Sequence, residues 1–276
     1  MRFREILKKC LHNKSFITGS CMIGLMLLIM VVGFFYLPYD PDAMDTPNKL
    51  QFFSAAHPLG TDQFGRDILS RIMEGTRVSF LVGALTVVLG LIVGGTIGSI
   101  AGYYGGKIDE VIMKLIDTQM AFPGVLLALM LIAVFGNSLQ NLILALGVMS
   151  IPRFARISRS GFIKYRDAEF IKAARSRGAG DGRIIFRHIL PNIVPELIVT
   201  SSLGFAGAVM SEAGLSYLGL GIQPPTPSFG KMLSEAQAEI LQAGWYVLVP
   251  AVAITLLVMG FNLIGDALQE VTQHGR

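Results

Sequence analysis

Long apolar stretches alternate with short polar segments along most of the chain. Six of the stretches approach the 20 or so residues that a helix needs to cross the hydrocarbon core of a bilayer. The pattern predicts an all-α membrane protein with six transmembrane helices and both chain ends on one side. The six stretches are centred near Met26, Leu91, Leu127, Leu146, Gly204 and Leu256.

The composition agrees with this pattern. Hydrophobic residues make up 52% of the 276 residues, charged residues make up 15%, and the mean hydropathy is +0.58. That balance leaves too little polar surface for one or two soluble domains. The first apolar stretch follows a basic leader, but its length and the lack of a small-x-small cleavage site predict an uncleaved span.

Basic residues cluster on one side of the predicted topology. With the N-terminus inside, 18 of the 23 Lys and Arg residues face the cytoplasm, and ten of these lie between 153 and 187. Cytoplasmic loops of membrane proteins carry such an excess of Lys and Arg. We therefore predict that both termini are cytoplasmic. The net charge of +4 then reflects topology, and nucleic acid is not an expected partner.

The predicted spans divide the chain into five parts. These are a cytoplasmic leader (1–15), a first transmembrane helix (16–37), an extracytoplasmic segment (38–77), a core of five transmembrane helices (78–266) that contains a cytoplasmic loop (161–192), and a cytoplasmic tail (267–276).

The segment 169–191, EFIKAARSRGAGDGRIIFRHILP, is basic and lies between two apolar stretches. Its spacing predicts a short helix with Phe170, Ala173 and Ala174 on one face. A turn at Gly178 and a second short helix that ends at Pro191 are expected to follow. Small side chains on the first helix would let a partner protein approach closely. An ordinary amphipathic cytoplasmic loop is the alternative interpretation.

This segment resembles the "EAA" loop of binding-protein-dependent ABC importer permeases, which forms the helix that meets the ATPase. The resemblance rests on the paired alanines, the glycine four residues later and the Ile-Leu-Pro ending, while Lys172 stands where the family pattern has Glu. It implies an ATPase-coupling role for Glu169, Ala173, Ala174, Arg175, Gly178, Ile189, Leu190 and Pro191.

Two further segments resemble the same family. GTDQFGRD at 60–67 is similar to the segment that marks the C-type permease of peptide and nickel importers, and LGLGIQPP at 218–225 is similar to a family segment as well. For the first we expect a turn shaped by Gly60 and Gly65 and a helix that begins at Asp67. For the second, a rigid connection and a contact with the binding protein or an external gate are both open.

Four glycines in the second predicted span recur at intervals of four residues, at Gly90, Gly94, Gly98 and Gly102. They line one helix face, and we expect that face to pack closely on a neighbouring helix rather than to form a substrate groove. The following GYYGGK at 102–107 lacks the spacing of a phosphate-binding loop, so ATP binding by that route is excluded.

The fourth predicted span carries Arg153, Arg156 and Arg159 after Pro152. Because they are spaced three residues apart, they form a cationic helix face. We expect this face to contact lipid headgroups, and a docking role is the alternative.

No constellation of catalytic or metal-binding residues can be read from the sequence. All four histidines fall outside the predicted spans, and Cys10 and Cys21 form neither a disulfide framework nor a metal motif. The ionisable residues that we find in the spans lie toward the cytoplasmic ends, which disfavours an ion-coupled carrier. We therefore predict no enzymatic activity and no cofactor or metal bound by this chain.

The family resemblance covers nearly the whole chain and implies a type I ABC importer permease-like fold in a prokaryotic inner membrane. It implies two permease subunits, often non-identical, that form the pathway, with ABC ATPases that hydrolyse ATP and an extracytoplasmic solute-binding protein. Di- or oligopeptides are the expected substrates, and nickel or a metal chelate is the alternative. The substrate-binding residues are unknown from the sequence. An ion-gradient-driven secondary transporter or a membrane scaffold is the alternative from another class.

Overall fold

A computed structural model describes residues 9–273, and its regular elements are helices. We number the ten α-helices of eight or more residues within 9–273 in chain order. They are α1 (Lys14–Phe35), α2 (Ile68–Leu89), α3 (Gly95–Tyr104), α4 (Gly106–Met120), α5 (Gly124–Phe135), α6 (Leu139–Arg166), α7 (Glu169–Ser176), α8 (Leu190–Tyr217), α9 (Phe229–Ala238) and α10 (Gly244–Gln273).

Helices α2 and α3 form one 37-residue helix, Ile68–Tyr104, through a π-helical stretch at Gly90–Gly94. The sequence contains no proline from 68 to 104, so nothing removes a backbone donor along this length. The helix is therefore longer than the apolar stretch that predicted it. The expected boundary between the extracytoplasmic segment and the core, at 77/78, falls inside this helix.

The third predicted span is sharply bent. Helices α4 and α5 meet at an angle of 84° across a break of three residues. Pro123 stands at the N-terminal cap of α5 and cannot donate a backbone hydrogen bond, which separates the two helices. This bend is the feature of the span that hydropathy did not predict.

The spans within residues 9–273 can be counted by length and apolar composition. Four continuous helices qualify, and the bent α4–α5 pair makes a fifth if it crosses as one unit. Helix α6 has 28 residues, but its second half is rich in Lys and Arg. The predicted count of six helices therefore stays a prediction, while the all-helical class is confirmed.

The prediction that Pro191 ends a short second helix is wrong. The helix that begins at Asp181 passes through a π-helical stretch, Ile184–Ile189, and continues in α8 to Tyr217. Pro191 comes just after the π-helical stretch, where the regular backbone hydrogen-bond pattern of the α-helix is already interrupted. The segment 169–191 therefore continues without a break into α8, as part of a helix that is long and apolar enough to cross a membrane.

Candidate functional site

Helix α7 ends in a turn that depends on glycine. Gly178 has φ +80°, its N–H donates to the Arg175 carbonyl oxygen at 2.9 Å, and the Ala179 N–H donates to the Ala174 carbonyl oxygen at 3.1 Å. These two bonds are those of a Schellman motif, which favours glycine at the left-handed position. The predicted glycine turn is therefore confirmed, and it fixes the direction in which the chain leaves α7.

One side of α7 is anchored to the protein interior. Ile171 is fully buried and packs in a cluster with Phe162, Ile184 and Ile189. Ile189 was predicted as part of the coupling segment, and its side chain faces this cluster rather than solvent. The isoleucines therefore hold α7 against the ends of α6 and α8 through apolar contact.

The opposite side of α7 is open. Phe170 is 44% exposed, Ala173 and Glu169 are exposed, and Ala174 is half-buried. Lys172, which departs from the family pattern, donates to the Glu169 carboxylate at 2.9 Å. This hydrogen bond raises the pKa of the Lys172 ammonium group above its ordinary value. The exposed face is thus a small apolar patch beside an ion pair.

Tyr103, at the end of α3, ties the segment to the membrane helices. Its hydroxyl donates to Asp181 Oδ1 at 2.6 Å and accepts from Arg175 Nη2 at 3.3 Å. The hydrogen bond with Tyr103 raises the pKa of the Arg175 guanidinium group. Arg166 adds a further tie, because its Nη1 donates to the Gly102 carbonyl oxygen at 3.0 Å. The end of α6 and the C-terminal end of α7 are therefore both linked to α3.

The glycine row packs α3 against α6 at backbone distance. A Cβ atom added at Gly98 would lie 2.7 Å from the carbonyl carbon of Ala155, and one added at Gly102 would lie 2.5 Å from the carbonyl oxygen of Arg159. Ser158 adds a hydrogen bond across the same interface, to the Gly95 carbonyl oxygen at 2.9 Å. The expected packing role of the row is confirmed, and α3 and α6 form a close pair.

The segment 60–67 has the structural role expected of it. Gly60 and Gly65 have φ values of +76° and +77°, and the Asp67 side chain caps α2 by accepting from the Ser70 N–H at 2.8 Å. Both the turn and the start of the helix are therefore as predicted from the sequence.

Arg66 in this segment forms a largely buried ion network that the sequence did not reveal. Its Nε donates to Asp62 at 2.6 Å and its Nη2 donates to Glu235 of α9 at 3.0 Å. Arg71 lies within 4.0 Å of Asp42, Asp62 and Glu235. We call these five residues the Arg66 network. It joins the segment before α2 to α9, at the end of the molecule opposite α7.

The segment 218–225 folds back on the end of α8. The Leu220 N–H donates to the Leu215 carbonyl oxygen at 2.9 Å, and the Ile222 N–H donates to Ser216 Oγ at 3.0 Å. Ile222 is buried. These contacts favour the rigid connection between two helices, one of the two interpretations left open by the sequence.

The predicted coupling residues differ in their surroundings. The exposed ones are Glu169, Ala173, Arg175, Gly178 and Pro191, while Ala174 and Leu190 are half-buried and Ile189 is buried. Sequence reasoning missed Tyr103 and Asp181, which lie 78 positions apart and come together only in the fold.

Comparison with known proteins identifies the family. Residues 94–275 match the family described as binding-protein-dependent transport system inner membrane component, and residues 2–54 match the N-terminal TM domain of oligopeptide transport permease C. The chain belongs to this permease family. The resemblance to C-type permeases is thereby confirmed.

Relatives of the permease match along nearly all of its length. The dipeptide transport system permease protein DppC of Alkalihalophilus pseudofirmus is 44% identical over 97% of this chain and 88% of its own length. The glutathione transport system permease protein GsiD of Pectobacterium atrosepticum is 39% identical over 97% and 89%. DppC of Haemophilus influenzae is 38% identical over 94% and 90%.

Solved structures show the fold of the permease. Two crystal forms of the MetNI methionine ABC transporter in inward facing conformations contain chains similar to it, with TM-scores of 0.54 and 0.57. They are 20% and 18% identical and cover 72% and 71% of this chain and 94% of the solved chain in both cases. The permease therefore has the helical fold of an ABC importer permease.

Proposed function

We propose that this permease is the transmembrane subunit of an ATP-driven, binding-protein-dependent importer of di- or oligopeptides in a prokaryotic inner membrane. It forms half of the translocation pathway beside a second permease, which is expected to be non-identical. A solute-binding protein delivers the peptide from outside, and partner ATPases hydrolyse ATP. Both chain ends face the cytoplasm in this arrangement.

The observation that carries the coupling part of the proposal is the exposed face of α7 on an anchored backbone. Phe170 and Ala173 are open to a partner, while Ile171 is buried and the turn at Gly178 is set by backbone hydrogen bonds. A helix held this way moves as a rigid body when a partner pushes it. This is what is required of an element that transmits ATPase closure.

The proposed movement reaches the membrane helices by two routes. Helix α7 follows α6 after only two residues, and Tyr103 joins Asp181 and Arg175 to the end of α3. Because α3 and α6 touch through backbone atoms, they have little freedom to move separately. ATPase closure would therefore shift the α3–α6 pair as one unit and switch the pathway between inward and outward access.

The named substrates of the relatives support a peptide cargo. They are dipeptides, di- and tripeptides, and glutathione, which is itself a tripeptide. Within residues 9–273, no three His, Cys, Asp or Glu residues are grouped so that they could hold a metal ion. A bare metal cargo coordinated by this chain therefore has no supporting observation.

Uptake into proteoliposomes that contain the complete transporter tests the function. With binding protein outside and ATP inside, we expect accumulation of radiolabelled dialanine and no accumulation of nickel. An imposed proton or sodium gradient without ATP should give no uptake. Uptake driven by the gradient alone would contradict the proposal, as would ATP-driven uptake of nickel without peptide.

A further inference from the structure

Two ion pairs, one after the other along the helices, connect α4 with α6. Both oxygens of the Asp109 carboxylate accept from Arg159, with Nη2 to Oδ2 at 2.6 Å. About two turns further along α4, Asp117 accepts from Arg156 at 2.7 Å. The arginines were expected to contact lipid headgroups, but two of the three are paired with acids of the same chain.

Arg153, the third arginine of this helix face, has no acidic partner among residues 9–273. Arg153 follows in the same three-residue step along α6, and it lines a cavity together with Met120 and Phe122 at the break between α4 and α5. Its side chain is exposed, and it makes no hydrogen bond or ion pair with any residue from 9 to 273. The row of arginines on α6 therefore ends in a guanidinium group that is unpaired within residues 9–273.

A cavity of about 510 Å³ opens beside Arg153. This volume lies in the range of about 300–1,000 Å³ that is typical of small-molecule sites. The wall is mainly apolar, and flexible methionines adapt to side chains of different shape. Its lining includes Gln119, Met120, Phe122, Met149, Arg153 and Arg156.

Arg153 lies halfway along α6. It is 14 residues from the start of α6, which is about 21 Å along the helix axis and less than the hydrocarbon thickness of about 30 Å. Ionisable residues within membrane-spanning helices usually face the protein interior or a water-filled pathway. The cavity provides that environment.

We propose that Arg153 binds the C-terminal carboxylate of the peptide as it passes, so that the cargo supplies an acidic partner for this guanidinium group. This inference rests on the proposed peptide import. A planar guanidinium group can hold a carboxylate through two parallel hydrogen bonds. The apolar wall accepts side chains with little selectivity, so the site would recognise the peptide end rather than its sequence.

Charge-selective labelling of the cavity tests this assignment. The probe position is Met149→Cys in a Cys10→Ser, Cys21→Ser chain, assembled with its partners in phosphatidylcholine nanodiscs, and mass spectrometry of this chain reads the modification. We expect the anionic reagent sulfonatoethyl methanethiosulfonate to react faster relative to its cationic trimethylammonium analogue. Arg153→Gln should lower this ratio about three- to tenfold. Lys164→Gln removes a charge lower on the same helix and should leave the ratio unchanged.

Ligand protection gives the second readout. Dialanine should slow labelling at position 149 at least threefold, and dialanine amide, which lacks the carboxylate, should not. Arg153→Gln should remove the protection, and Arg153→Lys should retain part of it. The uptake of dialanine should fall about tenfold or more in Arg153→Gln, as expected for loss of a charged hydrogen bond.

Three results would overturn the assignment. Equal protection by the amide would mean that the carboxylate is not recognised. Protection that appears on adding phosphatidylglycerol, without peptide, would assign the cavity to a lipid headgroup. A labelling ratio that is insensitive to Arg153→Gln would mean that Arg153 is paired with an acidic residue of a partner subunit. If the wild-type transporter shows no ATP-driven dialanine uptake, the proposed function fails, whatever the labelling shows.

Discussion

Replacing Gly98 by alanine should loosen the α3–α6 pair. The new Cβ atom would lie 2.7 Å from the carbonyl carbon and 2.8 Å from Cα of Ala155, whereas carbon atoms in contact normally lie about 3.5–4.0 Å apart. Both neighbours are backbone atoms, so no side chain can rotate away and the helices must separate by nearly 1 Å. Overpacking of this kind costs about 1–3 kcal/mol.

Gly95 on the same helix is the matched control, because the nearest atom to an added Cβ is Leu91 Cδ1 at 3.8 Å. Gly95→Ala should be neutral or stabilising by up to about 1 kcal/mol through helix propensity. Reversible unfolding of the purified permease in mixed micelles with increasing SDS measures both variants. We expect Gly98→Ala to be the less stable by about 2 kcal/mol. Equal midpoints for the two variants would refute the close contact between α3 and α6.

Three further substitutions test the other contacts. Tyr103→Phe keeps the ring and removes its hydrogen bonds, so amide hydrogen exchange in 169–181 should rise about two- to tenfold, and unchanged exchange would contradict the tie to α3. Arg66→Gln should destabilise the permease by about 1.5–3 kcal/mol because it removes charged hydrogen bonds to Asp62 and Glu235, whereas Lys231→Gln should leave the unfolding midpoint unchanged. Asp67→Ala should cost about 1 kcal/mol through loss of the helix cap, and an unchanged midpoint would show that the cap contributes nothing.

Local chemistry made part of the fold predictable. Asp67 caps a helix through an atom three residues away, and Gly178 closes a turn with its immediate neighbours. The glycine row could be read as a packing face because its period places all four residues on one side of a helix. In each case the decisive interactions either lie within one helical turn or follow from helical periodicity.

The contacts that shape the candidate site are distant in sequence. Tyr103 and Asp181 are 78 positions apart, and Arg66 and Glu235 are 169 apart, so no periodicity relates them. The bend between α4 and α5 was missed because hydropathy reports composition and carries no information about direction. The continuation through Pro191 was missed because a proline signals a helix end only where its N–H would have been needed.

Co-purification of the ATPase with an Ala173→Arg permease tests most directly whether α7 is the docking helix. Ala173 is exposed, so the longer side chain should leave the fold intact while it obstructs a closely fitted partner. Gln269→Arg, on an exposed position of α10, is the matched control. We predict that Ala173→Arg reaches the membrane in normal amounts, loses the ATPase and imports no dipeptide, while Gln269→Arg behaves as the wild type. Full ATPase recovery and normal uptake in Ala173→Arg would contradict the proposed coupling role of α7.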